Sequence, residues 1–238
     1  MRTVGRVAWL LAVVALLLGC GGTASSPEGE AGLELEAAPW QAGETANYIW
    51  LDQDANEIGT AQVSFSEQED VWVINQTDMI GTAQQVAEVR IDAQTLEPLG
   101  EHKTIQAPNT EIEINTVYQE DEVEIQAIVN GEEQNATMDL PANALDNDQL
   151  LMTLRALPFA EGYETEFPVL VTQNALAVDL TVAVQGQEQV EVPAGTFDTW
   201  LVEISTDQGT QSVWYQVDAP HTLVQYDNGT TRMQLVEG

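Results

Sequence analysis

Two histidines, one cysteine and 39 acidic residues are the groups in this 238-residue chain whose types could support chemistry. His102 and His221 are the side chains that ordinarily titrate near neutrality, and neither sits in a recognisable motif. The sequence contains no Gly-x-Ser-x-Gly, no His-Glu-x-x-His, no Cys-x-x-Cys and no phosphate loop. A Ser-His-Asp triad can be assembled only without any local signature. Pairs of carboxylates for glycoside hydrolysis can be drawn freely from so many acids, so their abundance argues nothing without a cleft. His221 follows Pro220 and reads as a turn residue at the surface. The chain is expected to be non-catalytic, with no catalytic residue, no resident metal and no cofactor.

Calcium is the nearest miss. Asp52-Gln53-Asp54-Ala55-Asn56 begins like a calcium loop, with acids at positions 1 and 3 and an amide at 5. The glycine due at position 6 is Glu57 and the bidentate glutamate due at position 12 is Val63. A hairpin turn explains these residues better. Asp146-Asn147-Asp148 likewise reads as the start of a helix.

Cys20 is the one residue with a specific chemical assignment. Met1–Arg6 is basic, and Val7–Leu18 is an unbroken apolar run of twelve residues. A membrane span needs about 20, so a basic head on this shorter run is the secretory pattern. Leu17-Leu18-Gly19-Cys20 resembles the bacterial lipobox, in which the signal is cut before a cysteine that is then acylated; Leu18 is bulky for its slot. That resemblance implies two or three acyl chains on Cys20, enough for stable anchoring where one would be marginal. Gly21 stands where an inner-membrane retention aspartate would be, which leaves an outer-membrane or outward-facing location open. The expected organisation is a lipoprotein signal peptide over 1–19, the lipidated cysteine and a flexible tether over 20–38, and a single β-rich domain over 39–238. The tether is Gly-, Ser-, Ala- and Glu-rich and reaches roughly 20–25 Å. The expected location is the cell envelope, at the outer membrane or the outer face of the cell membrane, with the domain facing periplasm or exterior.

Charge excludes partners more sharply than it names them. The whole chain carries −33. Without the first 19 residues, four basic residues remain against 39 acidic ones, or −35. Nucleic acid needs a basic surface, and anionic headgroups would be repelled. Acids at alternating positions, such as Glu111, Glu113, Glu122 and Glu124, mark a solvated sheet face. Their mutual repulsion is screened by salt.

The elements that position these residues are strands. Period-2 alternation recurs from residue 46 onward: 46–52, 58–66, 70–76, 84–92, 97–106, 111–118, 123–129, 132–139, 166–172, 178–184, 188–192, 198–205, 211–217, 222–227 and 231–236. Asn130-Gly131 and Asn228-Gly229 read as two-residue hairpin turns, with Gln185-Gly186 and Gln208-Gly209 as weaker versions. Short connections predict antiparallel neighbours. Residues 146–157 break the pattern as a helix: Asp146 as N-cap, a stripe of Leu150, Leu151, Leu154 and Leu157, and Pro158 as the stop. The predicted fold is mainly β, a strongly curved antiparallel sheet or half-open β-barrel with one short helix packed on or in it.

Three stretches carry a family resemblance: Leu150–Gly162 (LLMTLRALPFAEG), Val190–Phe197 (VEVPAGTF), and Val213-Trp214-Tyr215 with Asp218 and Val224. Tyr48, Trp50, Ile58, Gly59 and Ala61, and the Asp92…Thr95-Leu96-Glu97-Pro98 corner, fit its opening hairpins more loosely. The chain resembles the bacterial, exported family named domain of unknown function 3108, over about 46–237. That resemblance implies no activity. The curved sheets of periplasmic lipoprotein carriers are a looser analogy of fold. The expected function is a binding module for an apolar or amphipathic ligand or a partner protein, its lining drawn from Trp50, Trp72, Trp200, Trp214 and Tyr226. The same aromatics serve equally well as core. The alternative is a structural or assembly component of the envelope without a small ligand. The membrane, through Cys20, is the expected partner in either case.

Overall fold

The computed structural model describes residues 33–237; the signal, Cys20 and most of the expected tether lie outside them. Fifteen strands form one sheet. The first eight are β1 (Thr45–Leu51), β2 (Glu57–Gln68), β3 (Val71–Ile80), β4 (Ala83–Asp92), β5 (Pro98–Ala107), β6 (Thr110–Tyr118), β7 (Glu122–Val129) and β8 (Glu132–Asp139). A two-residue strand, β9 (Leu145–Asp146), precedes a short helix, α1 (Leu150–Thr153), and a single 3-10 turn, Leu154–Ala156. The rest are β10 (Glu164–Val171), β11 (Leu176–Val192), β12 (Gly195–Thr206), β13 (Gly209–Gln216), β14 (Leu223–Asp227) and β15 (Arg232–Glu237).

β1–β8 and β10–β15 are antiparallel meanders, and β9 adds to β10 in parallel. The two meanders join where β1 pairs with β15, so the strand order runs from β8 through β1, then β15 down to β9. Two-residue turns make the meander local, and Asn130 and Gly131 supply positive φ (52° and 86°) for the β7–β8 hairpin. Twist accumulates with every strand, and a sheet this long curls instead of lying open.

The inward face of the curl holds one large core, in which Tyr48, Trp50, Val63, Phe65 and Ile74 from β1–β3 meet Val182, Val202, Val213, Tyr215 and Tyr226 from β11–β14. The Leu150, Leu151, Leu154 and Leu157 stripe is buried within it. The helical expectation over 146–157 is shortened by the tertiary fold. Asp146 is a strand residue, paired in parallel through β9 with β10, and only Leu150–Thr153 is α-helical. The remaining residues to Ala156 tighten into the 3-10 turn. All faces of this segment are covered, so it needs no amphipathic face of its own.

Three other expectations change. Residues 178–184 and 188–192 are one strand, β11, because Gln185-Gly186 forms a bulge opposite β12 instead of a turn, with Gly186 at φ 145°. Asn228-Gly229 lies in a four-residue loop, in which Asn228 Oδ1 accepts the amides of Thr230 and Thr231. The last residues of the expected tether are ordered: Leu33, Leu35 and Ala38 pack on the core, and the Glu36 amide donates to the Ala156 carbonyl at 2.7 Å.

A candidate binding cleft and a buried charged seam

Trp40 and Phe65 stack with ring centroids 5.0 Å apart, and the guanidinium of Arg155 sits over both rings, 5.8 and 5.2 Å from their centroids. Arg155 is 2% exposed. Its Nη2 meets Glu44 Oε1 at 2.7 Å, and its Nε and Nη2 both donate to the Pro220 carbonyl. A buried guanidinium needs such partners, because an unpaired charge in the core costs several kcal/mol. Its two polar partners also line an open cleft of about 540 Å³, walled by Gln41–Ala46 on one side and Pro220 and Thr222 on the other. The cleft is within the size range of small-molecule sites. Its lining mixes amide, hydroxyl and small apolar groups, and its one carboxylate is already committed to Arg155.

A second group of polar residues lies deeper. Glu101 and Lys103 project from β5 on the same face as Ile105, and all three are buried. Lys103 Nζ pairs with Asp148 Oδ2 and lies 3.2 Å from Glu101 Oε1. Glu101 Oε2 accepts from Thr172 Oγ1 at 2.6 Å and from Thr116 Oγ1 at 3.3 Å. Tyr118 Oη donates to Asp146 Oδ2, and the Asp148 amide donates to Asp146 Oδ1. Burial, then the charges of Asp146 and Asp148, push the Glu101 carboxyl well above the usual carboxylate range. Burial and then Asp148 push Asp146 up to about 6. Burial would also raise Asp148, but Lys103 beside it brings its carboxyl below the ordinary value. Burial would lower Lys103, but Asp148 and Glu101 outweigh it and hold the ammonium charged. Oxygens of Glu101, Asp146 and Asp148 all lie within 4.8 Å of one another, a spacing compatible with a metal ion; Lys103 already supplies the cation there.

The residue pattern of the opening and closing hairpins now has a match. The family described as a protein of unknown function, DUF3108, covers residues 44–236. The chain belongs to that family. No curated protein matches it. Among solved structures, this DUF3108 chain is similar to a beta-barrel-like protein of domain of unknown function DUF1849 from Brucella abortus, at 12% identity, over 86% of this chain and 98% of that one, with a TM-score of 0.57. It also aligns with a candidate lipoprotein from Parabacteroides distasonis (11% identity, 85% and 98% coverage, TM-score 0.33). A candidate exported protein with a YmcC-like fold from Bacteroides fragilis gives 12%, 85% and 98%, and 0.32. The first likeness is one of fold alone, and the other two, below 0.5, carry no argument.

The five aromatics expected to line a ligand site do not share one surface in the DUF3108 fold. Trp50 and Tyr226 meet edge to face inside the core, and Trp50 Nε1 donates to the buried carboxylate of Asp78 at 2.9 Å. Trp72 is buried edge-on against Trp40. Trp200 is partly covered and stacks on Phe159. Trp214 opposes Leu201 in the β12–β13 register, whereas Trp200 opposes Tyr215, so the two tryptophans lie on opposite faces; Trp214 donates instead to Glu188. Cys20 lies outside the described residues. His102 pairs with Glu113 at 3.3 Å across β5 and β6, each side chain about half exposed (50% and 46%) on the open outer face. His221 packs on Phe159 and contacts the Gln216 carbonyl. Asp52 accepts the amides of Asp54 and Asn56, which makes the calcium-like loop a hairpin turn.

The residue pattern did not mark Arg155, Glu101 or Lys103, and Asp146 and Asp148 read there as a helix start instead of members of a buried charged group. One signal was present for two of them. In the 97–106 strand, Glu101 and Lys103 have the parity of Ile105, which puts opposite charges on the buried face. Nothing local pointed to Arg155, whose partners Glu44 and Pro220 lie far from it along the chain.

Proposed function

We propose that the protein is an exported, lipid-anchored envelope protein that binds an amphipathic ligand and catalyses nothing, with the cleft around Gln41–Ala46, Pro220 and Thr222 as its site. The observation that carries this reading is the open cleft of about 540 Å³ walled by Gln41–Ala46, the stretch of chain that follows the expected tether. Thirteen residue steps separate Cys20 from Leu33, and a Gly- and Ser-rich linker of that length reaches roughly 20 Å. An acylated Cys20 on such a linker would hold the domain close to a bilayer able to supply an amphipathic molecule. A head group without net negative charge suits it best, because the field of the −35 chain opposes an anion. The lipobox-like start supports export. The non-catalytic reading is supported by the dispersal of the histidines: His102 is on the outer face and His221 is held against Phe159.

Native mass spectrometry of the full lipidated chain, extracted from its own host, tests the proposal. Wild type should retain a lipid-like adduct, and Ala42→Trp, which fills the cleft from its exposed rim, should lose it. An empty wild type, or an adduct kept unchanged by the variant, would overturn it. The second reading, a structural or assembly component, is favoured by the filled concave core and by the mostly exposed edge strand β8. It predicts an empty chain that instead retains an envelope protein.

A further inference from the structure

β8 and β9 are the two ends of the sheet. Among the described residues no backbone ladder joins them, so hydrogen bonding between strands does not close the curl. Side chains do. Lys103 and Glu101 on β5 and Tyr118 on β6 reach Asp148, Thr172 and Asp146, which sit on or directly after β9 and β10. An apolar patch lies across the same join: Ile114 and Tyr118 of β6 and Val123 and Ile125 of β7 pack with Ala144 and Leu170. β9 and β10 thus seat against β6 and β7, and β8 runs past them. The join is a seam of three carboxylates, one ammonium, one phenol and two threonine hydroxyls.

Charge counting shows what such a seam requires. With every acid ionised, Glu101, Asp146 and Asp148 outweigh Lys103 by two charges in a site closed to water. Asp78 of β3, held apart from the seam by Trp50 and Gln76, feels the charge of Asp148 more weakly. One retained proton removes half of the imbalance, and Glu101 is the group placed to hold it. Its Oε2 is occupied by two threonine hydroxyls, while its Oε1 lies in the group of oxygens around Asp148 and Lys103. A protonated Glu101 can therefore donate to the Asp148 carboxylate and turn repulsion into a hydrogen bond.

We propose that this seam is a proton-held latch: a proton on Glu101 keeps β9 and the turn after β10 closed on β5 and β6, and its loss releases that edge of the sheet. The groups facing Glu101 are Lys103 from its own strand, Thr116 and Tyr118 from β6, Asp146 and Asp148 from β9 and the segment that follows, and Thr172 from the turn after β10. Of these, only Lys103 opposes the negative charge that ionisation of Glu101 adds. Release exposes Leu170 and the apolar patch of β6 and β7.

Hydrogen exchange of the full chain, measured by mass spectrometry between pH 6 and pH 9 and corrected for the intrinsic rate, tests the proposal. Opening of residues 141–149 and 166–174 should increase about ten-fold per pH unit wherever the closed seam still holds the Glu101 proton and the released side chain does not, and level off once the closed seam has lost it, while β2 and β3 keep their protection. Glu101→Gln, which donates to Asp148 but cannot ionise, should remove the pH dependence of both segments. Protection in wild type that does not change with pH, or a variant that opens with the wild-type profile, would overturn it. Should the variant fail to fold, carboxyl-carbon NMR of wild type decides. A Glu101 that loses its proton in step with opening supports the latch, and a Glu101 ionised across the whole range overturns it.

Discussion

Gly59 of β2 lies directly against the backbone of β3. A Cβ added there would lie 2.0 Å from the Met79 carbonyl oxygen and 2.9 Å from the Ile80 Cα, both backbone atoms of the neighbouring strand. No rotamer relieves such a contact, so Gly59→Ala forces the strands apart and should cost about 3 kcal/mol, read as a lower denaturation midpoint in urea. Arg155 is the opposite case, a side chain that the core cannot lose. Arg155→Ala empties the space over Trp40 and Phe65 and strips Glu44 and the Pro220 carbonyl of their partner. A loss of about 3–5 kcal/mol is expected, with a change in tryptophan fluorescence from Trp40. Glu44→Gln should cost less, since the Glu44 side chain is 18% exposed and Pro220 still holds the guanidinium. Equal losses for the two variants would show that the ion pair, and not the stacking, carries the site.

At the scale of elements, the segment ahead of Trp40 behaves as part of the fold. Leu33 and Leu35 cover the core next to the 3-10 turn, and the amide of Glu36 satisfies the Ala156 carbonyl. A chain beginning at residue 39, the start that composition suggests, should therefore be less stable than one beginning at 33. Half-burial of two leucines and one hydrogen bond amount to about 2–3 kcal/mol, measurable by parallel thermal melts. Composition misled at this point because Gly, Glu and Ala say nothing about what a neighbouring element leaves uncovered. The strands were far more legible. Their alternation, Asn130-Gly131 and the short connections predict almost every hairpin, because a sheet face that is half wet writes its period into the chain. β9 escaped notice because two residues carry no period, and the 146–157 helix was overextended because a leucine stripe looks the same whether one face or every face is buried.

The whole molecule carries its acids in two environments with opposite consequences for pH. Burial holds Asp78 and Asp146 at about 6, against about 3.9 for an unfolded aspartate. A raised folded value favours folding fully below the unfolded pKa, and that contribution is lost as pH rises through 6. The lowered carboxyls of Asp52, Asp92 and Asp148 work the other way, and their contribution is lost as pH falls below about 4. The melting temperature should therefore be higher at pH 5 than at pH 7.5, and fall again under stronger acid; a maximum at or above neutrality in a calorimetric series would contradict this balance. Surface repulsion points the same way and adds a salt dependence. At pH 7.5 the melting temperature should rise between 0.05 and 1 M sodium chloride, as the Debye length shrinks from roughly 14 Å to about 3 Å.

By itself, the sequence determined most of the strands, the curved antiparallel class and the family. Each of these is written in short-range pattern: alternation, turn residues, and strings such as Val190–Phe197. Only the tertiary structure decided which charges are inside. Lys103, Glu101, Asp146 and Asp148 meet across the seam, and Arg155 meets Glu44 and Pro220, from positions far apart in the chain, and no local period records such pairings. The same distance dispersed the expected aromatic lining, because a tryptophan's size shows that it must be covered but not by which face, and it put the cleft beside residues 41–46, where nothing in the chain's composition had marked it.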